Sequence, residues 1–199
     1  NAWRLHGSGL AGLPLALSLP GQHQRRNALA AAAAALALAI PPAVIAEGLA
    51  AAPAVAGRLC RLTGQAGCTL LDDSYNANPA STLAAAEVLA GYPGRRWFVL
   101  GDMAELGANA QALHRECGQR IKAAGIDCLW TLGPLAEAAA MGFGQGARAF
   151  HDATDLIAAL RQDLAADVTV LVKGSRGMRM EDVVAGLSGQ AAGEGEHAV

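Results

Sequence analysis

At 199 residues the chain can bury a sizeable core, either as one domain or as a domain with part of another. Hydrophobic residues make up 53% and charged residues 16%, which excludes the disordered class, although alanine supplies much of the apolar share. A formal charge of -2 excludes a general nucleic-acid binder, a role that needs a basic face to displace counterions, and leaves local phosphate binding open.

Residues 3–19 alternate in hydropathy and are broken by Gly7, Gly9, Gly12 and Pro14, the mark of short strands and turns. Residues 22–40 form a helix by propensity, closed by Pro41-Pro42, and residues 42–50 a second. The alanine-rich stretch 28–40 is shorter than the ~20 residues a membrane span needs, so it reads as a buried helix and no membrane span is expected. Residues 1–20 lack the basic start and apolar core of a signal peptide, and the missing initiator methionine points to a fragment. Small residues and Pro53 make 51–56 the candidate linker.

Residues 58–63 and 68–73 bracket Gly64-Gln65-Ala66-Gly67 as a hairpin. Helices at 80–90, 108–124, 135–141, 152–164 and 180–187 then alternate with strands at 96–101, 128–132, 147–150 and 168–173. This alternation predicts an α/β fold: a mostly parallel, doubly wound, Rossmann-like sheet with right-handed crossovers. The Gly-, Ala- and Glu-rich end from Ser188 onward reads as a frayed tail. Cys60, Cys68, Cys117 and Cys128 form no CxxC pair and have no histidine at metal spacing, so free buried thiols in a reducing cytoplasm are expected, without zinc.

The chain is organised around CTLLDDSYNANP (68–79), where an apolar strand ends in Asp72 and Asp73. A polar loop with Ser74, Tyr75, Asn76 and Asn78 follows, and Pro79 opens a helix. In a parallel sheet such a loop faces a crevice. Lys173-Gly174-Ser175-Arg176 also stands between a strand and a helix, where N–H groups, a hydroxyl and two cations converge on an anion. Asp102 and Glu105 end a third strand, where they bind a ligand or simply cap the next helix. His23 and Asn27 share one helical face, with a surface imidazole and a capping amide as the plain alternative. Likewise Arg58 reads as a solvated edge-strand charge, Arg176 as a solvated cation, and Asn76 and Asn78 as residues that shape their turn.

Four stretches, PGQHQRRNALAAAAA (20–35), DDSYNANPAS (72–81), LGDMAELG (100–107) and VLVKGSRGMRMEDVV (170–184), resemble in order the motifs of the Mur ligase family, and within it the members that add a dipeptide. The resemblance implies the C-terminal part of a central ATPase domain at 1–52, a Mur ligase C-terminal domain at 57–188 and a tail at 189–199. It implies an ATP- and magnesium-dependent ligase that joins D-alanyl-D-alanine to UDP-N-acetylmuramoyl-tripeptide through an acyl phosphate, in cytoplasmic peptidoglycan precursor synthesis. The nucleotide side would fall to Asn27 at the adenine with His23 beside it, Arg58 at the γ-phosphate and Asp73 at the ribose. The dipeptide side would fall to Asn76, Asn78, Asp102, Glu105, Lys173, Ser175 and Arg176. The family pattern places Asn directly after the histidine, where Gln24 stands here, which alters the reach of that amide.

The chain contains no GxxxxGK[ST], so the phosphate loop and the magnesium ligands are expected upstream. No catalytic residue is assigned within the chain, and alone it is expected to be inactive. A receiver-like signalling module remains a rival reading, since Asp72, Asp73 and Lys173 suit a phosphoacceptor site, but it leaves the first 60 residues unexplained. A sister Mur ligase that adds another amino acid is a third.

Overall fold

The computed structural model describes residues 3–7, 10–15, 22–52 and 55–189. The chain divides into two compact units, Asn1–Val55 and Ala56–Val199.

In the first unit β1 (Trp3–Gly7) pairs antiparallel with β2 (Leu10–Leu15). Helix α1 (Gln22–Ala37) buries Ala28 and Ala32, one turn apart, against Ile45 of α2 (Pro42–Ala51). The predicted first helix ran to residue 40; α1 ends three residues earlier because Pro41 and Pro42 disfavour helical backbone before them. Ala39 turns left-handed at φ 59°, while Ile40 N–H donates to Ala35 O at 3.0 Å and Ala39 N–H to Leu36 O at 2.9 Å, a Schellman-type end without the usual glycine.

The second unit holds a six-stranded sheet. Its strands are β3 (Cys60–Thr63), β4 (Thr69–Asp73), β5 (Arg95–Gly101), β6 (Cys128–Leu132), β7 (Ala147–Phe150) and β8 (Val168–Lys173), in the order β3-β4-β8-β5-β6-β7. Only β3 is antiparallel to its neighbour. The helices are α3 (Pro79–Ala90), α4 (Ala110–Ala123), α5 (Glu137–Phe143), α6 (Ala153–Asp163) and α7 (Met180–Leu187).

Period-two alternation sorts the strand residues onto two faces. Leu70, Trp97, Val99, Trp130, Val170 and Val172 pack with Leu156 and Leu160 of α6 and with Met180, Val183 and Leu187 of α7. Their sequence neighbours Leu71, Phe98, Leu100, Leu129 and Leu171 pack on the opposite face with α3, α4 and α5. Strand β8 is buried along its whole length, as a central strand covered on both faces must be. The sheet is therefore doubly wound and mostly parallel, the α/β class expected from the alternation of elements.

Other boundaries differ as well: α4 starts two residues later than expected, and α5 starts and ends two residues later. The hairpin's first strand begins at Cys60, because Leu59 turns left-handed at φ 58°, so Arg58 precedes the edge strand. Ser188 bridges to Gly64 and Gly189 N–H reaches Thr63 O at 3.3 Å, so the chain is still paired where a tail was expected, and the rest of that tail lies outside the described residues.

Candidate functional site

The sheet order creates the site. Strands β4 and β5 lead into α3 and α4 on one face, whereas β8 between them leads into α7 on the other. The chain thus reverses face between neighbouring strands, the switch point beyond whose strand ends such sheets generally bind ligands. Strand register levels them: Lys173 pairs with Asp73 on one side and with Leu100 on the other.

Lys173 is 3% exposed, and its Nζ donates to Asp73 Oδ2 at 2.6 Å and to Asn76 O at 2.8 Å. The adjacent Asp72 carboxylate accepts N–H groups from Gly57 and Ser74, each at 3.1 Å, and Tyr75 N–H donates to Gly57 O at 3.0 Å. These bonds hold the approach to β3 against the loop after β4. Arg58 lies there with its guanidinium carbon 4.3 Å from the centroid of the half-exposed Tyr75 ring, a cation–π contact.

Ser175 joins the three loops. Its N–H donates to Asp102 O at 3.0 Å, its hydroxyl accepts from Ala104 N–H at 2.7 Å, and that hydroxyl lies 3.5 Å from Ala77 O. It is 5% exposed, so the hydroxyl expected to meet a ligand carboxylate is enclosed by backbone. Asp102 does not cap α4; its Oδ1 accepts from Ala136 N–H at 2.6 Å, in the connection from β6 to α5. That approach requires Gly133, at φ 109°, where an added Cβ would stand 2.5 Å from the same oxygen.

The remaining expected residues are placed as follows. Asn78 is the N-cap of α3 in a capping box with Ser81, and the Asn76 side chain accepts from Ala77 N–H at 2.8 Å. Glu105 is exposed with φ 62°, and exposed Arg176 pairs with Glu181 at 3.0 Å. Asn27 is exposed on α1 in the first unit; His23 also lies on α1, with its side chain outside the described residues. The structure therefore brings Asp73, Lys173, Asn76, Asp102 and Ser175 into one bonded group, with Glu105 and Arg176 on exposed loops.

Sequence reading missed Asp72 as a brace, and it missed His114. This fully buried histidine accepts Met103 N–H through Nε2 at 2.9 Å, while Nδ1 lies 2.7 Å from Ala110 O, which assigns the proton to Nδ1. No spacing rule would have found it, since its partner is a backbone N–H in the preceding loop. Below that loop Cys117 packs with Ala77, Met103 and Leu106, and burial pushes its thiol up to about 11. All four cysteines are free thiols; Cys68 and Cys117 are buried, whereas Cys60 and Cys128 are only half-buried. Among the described residues no group of three or more His, Cys, Asp or Glu could hold a metal ion, and no helix is long and apolar enough to cross a membrane.

Polar loops at the switch point of a doubly wound sheet place the second unit in the class of Rossmann-like α/β domains. Residues 57–176 match the family described as Mur ligase, glutamate ligase domain, and the chain belongs to the Mur ligase family. It is 46% identical over 173 residues to the UDP-N-acetylmuramoyl-tripeptide--D-alanyl-D-alanine ligase of Escherichia coli (strain K12), which covers 86% of this chain and 38% of that protein. The ligase of the same name from Haemophilus influenzae is 38% identical over 181 residues, with 87% and 39% covered. A crystal structure of MurF from Acinetobacter baumannii superposes with a TM-score of 0.83 at 33% identity, over 92% of this chain and 41% of that one. The chain thus spans about two fifths of the length of these relatives.

Proposed function

We propose that the complete protein is an ATP-dependent ligase that joins D-alanyl-D-alanine to UDP-N-acetylmuramoyl-tripeptide. The observation that carries this reading is the 46% identity, over 86% of the chain, to an Escherichia coli ligase named for that reaction. It favours the dipeptide-adding branch over a sister Mur ligase. Membership of the family also sets aside the receiver-like reading, and the Asp72 carboxylate holds Gly57 and Ser74 in place.

In this reading ATP, with magnesium, activates the tripeptide carboxylate by phosphorylation, and the dipeptide amine displaces phosphate. What the chain adds is positioning and charge. The donor set suits a nucleotide: the Arg58 guanidinium is exposed, with in-plane N–H donors for a phosphate, and the Asp73 carboxylate suits vicinal ribose hydroxyls. Asn27, with His23 near it on α1, keeps the adenine role. The magnesium ligands are assigned to other parts of the protein.

The dipeptide is assigned to the crevice at the ends of β4, β8 and β5, lined by the loops that carry Asn76, Asn78, Asp102, Glu105 and Arg176. Arg176, exposed at the start of a 3-10 turn, offers a cation for the dipeptide carboxylate. Ser175 acts on the dipeptide through the loops it joins. The domain reading follows: residues 1–52 close a central ATPase domain, and 57–188 form the domain that receives the amine. We place the reaction in the cytoplasm, where ATP is available and four free thiols persist.

The test is ADP release by the purified complete protein with ATP, magnesium, UDP-N-acetylmuramoyl-tripeptide and D-alanyl-D-alanine. Turnover should require both substrates and yield the pentapeptide product. Turnover with a single amino acid in place of the dipeptide would overturn the assignment.

A further inference from the structure

Lys173 and Asp73 are the last residues of adjacent parallel strands and face each other in register. Their charges meet at 2.6 Å with the side chains 4% and 16% exposed, so this ion pair is largely removed from water. A buried ammonium must be surrounded by acceptors, and the second one is the Asn76 carbonyl at 2.8 Å. Lysine suits this geometry because its point charge carries rotatable donors that reach two acceptors lying in different directions. Asp73 and Asn76 belong to the same short stretch, so the ammonium closes residues 73–76 into a loop around itself. At 3% exposure Lys173 offers a dipeptide in the crevice little surface.

We infer that Lys173 is a positioning residue that touches neither substrate and couples the two halves of the site, orienting the Asp73 carboxylate for the nucleotide while fixing the Asn76 loop for the dipeptide. This rests on the ligase reading proposed above. Removing the ammonium takes away the charge that holds the Asp73 carboxylate at 2.6 Å, and it releases the Asn76 carbonyl. Both substrates should therefore feel one substitution at a residue that neither contacts.

The test is a kinetic cycle in the complete enzyme with Asp73→Asn, Lys173→Met and the double variant, measuring KM for ATP and for D-alanyl-D-alanine along with thermal unfolding. Asp73→Asn keeps an oxygen for Lys173, so it should raise the KM for ATP roughly tenfold and leave that for the dipeptide within about twofold. Lys173→Met should raise both, each roughly tenfold. In the double variant the ATP defect should be no larger than the greater single defect, because the two residues act as one unit, while the dipeptide defect persists. Multiplying ATP defects, or a Lys173→Met enzyme with an unchanged dipeptide KM, would overturn the coupling. If Lys173→Met does not fold, the double variant removes both charges and is compared with Asp73→Asn: a raised dipeptide KM supports the inference, an equal one overturns it. Failure of the ligase reading would already show in the wild type, as absent dipeptide-dependent turnover, and the inference would fall with it.

Discussion

Asp102 accepts the Ala136 backbone N–H at 2.6 Å across 34 positions of sequence, tying the loop after β5 to the start of the next crossover. Its own carbonyl accepts from Ser175 N–H, so one residue fixes two neighbouring loops. A charge-assisted hydrogen bond of this kind contributes about 1.5–3 kcal/mol, with the lower end expected at a half-buried site. Asp102→Ala should lower stability by about 1.5 kcal/mol and Asp102→Asn, which keeps an acceptor, by less. Gly133→Ala should cost at least as much, since its Cβ would stand 2.5 Å from Asp102 Oδ1 and the backbone is at φ 109°. Urea midpoints of the three variants check the order; equal stability of Asp102→Ala and wild type would remove the brace.

His114 is the second brace. Replacing it with leucine keeps the bulk but orphans the buried Met103 N–H, which costs about 1–3 kcal/mol. The loss should fall on the loop 102–107, so His114→Leu should also raise the KM for D-alanyl-D-alanine in the complete enzyme while leaving the KM for ATP within about twofold. Stability loss with both constants unchanged would confine His114 to folding.

The elements were legible where local pattern carries the information. The β-branched run of β8 and the predicted helix starting beside Pro79 stand within a residue of where they were read. The sheet order was not legible: nothing local to residues 168–173 says that they enter between β4 and β5, because that choice depends on faces buried by helices far away in sequence. The same limit explains the site. The candidate residues stood out as polar groups at strand ends, but their partners did not. Lys173 finds Asp73 100 positions away, and Ser175 meets Ala104 71 positions away. Arg58 was misplaced on a strand because the left-handed turn at Leu59 has no glycine to announce it.

At the opposite end of the sheet Asp127 accepts the Arg96 backbone N–H at 2.8 Å and its guanidinium at 3.1 Å. Partial burial pushes its pKa up, but the hydrogen bonds and charge of Arg96 outweigh that and hold the carboxyl below its ordinary 3.8. A depressed folded-state value stabilises the protein above the unfolded value and loses that contribution as pH falls through the folded one. Asp127→Asn should therefore be less stable than wild type at neutral pH, by less than about 1 kcal/mol because the pair is solvent-screened, and the gap should close in acid. Urea unfolding at neutral pH and well below pH 3.8 checks this; a gap that widens in acid would contradict the sign.

The Arg58–Tyr75 contact yields the last prediction. The guanidinium carbon stands 4.3 Å from the ring centroid, within cation–π distance. The two residues are held in place by the Asp72 bonds to Gly57 and Ser74 and by the Tyr75 bond to Gly57 O. Under the proposed function Tyr75 is a platform for Arg58, the arginine assigned to the phosphate. Losing the arginine removes a charge-assisted contact of about 1.5–3 kcal/mol, so Arg58→Ala should cost roughly 10- to 100-fold in kcat/KM for ATP. Losing the platform removes about 0.5–1 kcal/mol, so Tyr75→Leu should cost roughly two- to fivefold, whereas Tyr75→Phe, which keeps the ring, should match wild type. In an Arg58→Ala background Tyr75→Leu should add nothing, because the platform then has no cation to orient. Steady-state kinetics of the complete enzyme at saturating peptide and dipeptide would read all four. If Arg58→Ala keeps the wild-type kcat/KM for ATP, the nucleotide lies elsewhere and the contact only braces the entry to the sheet.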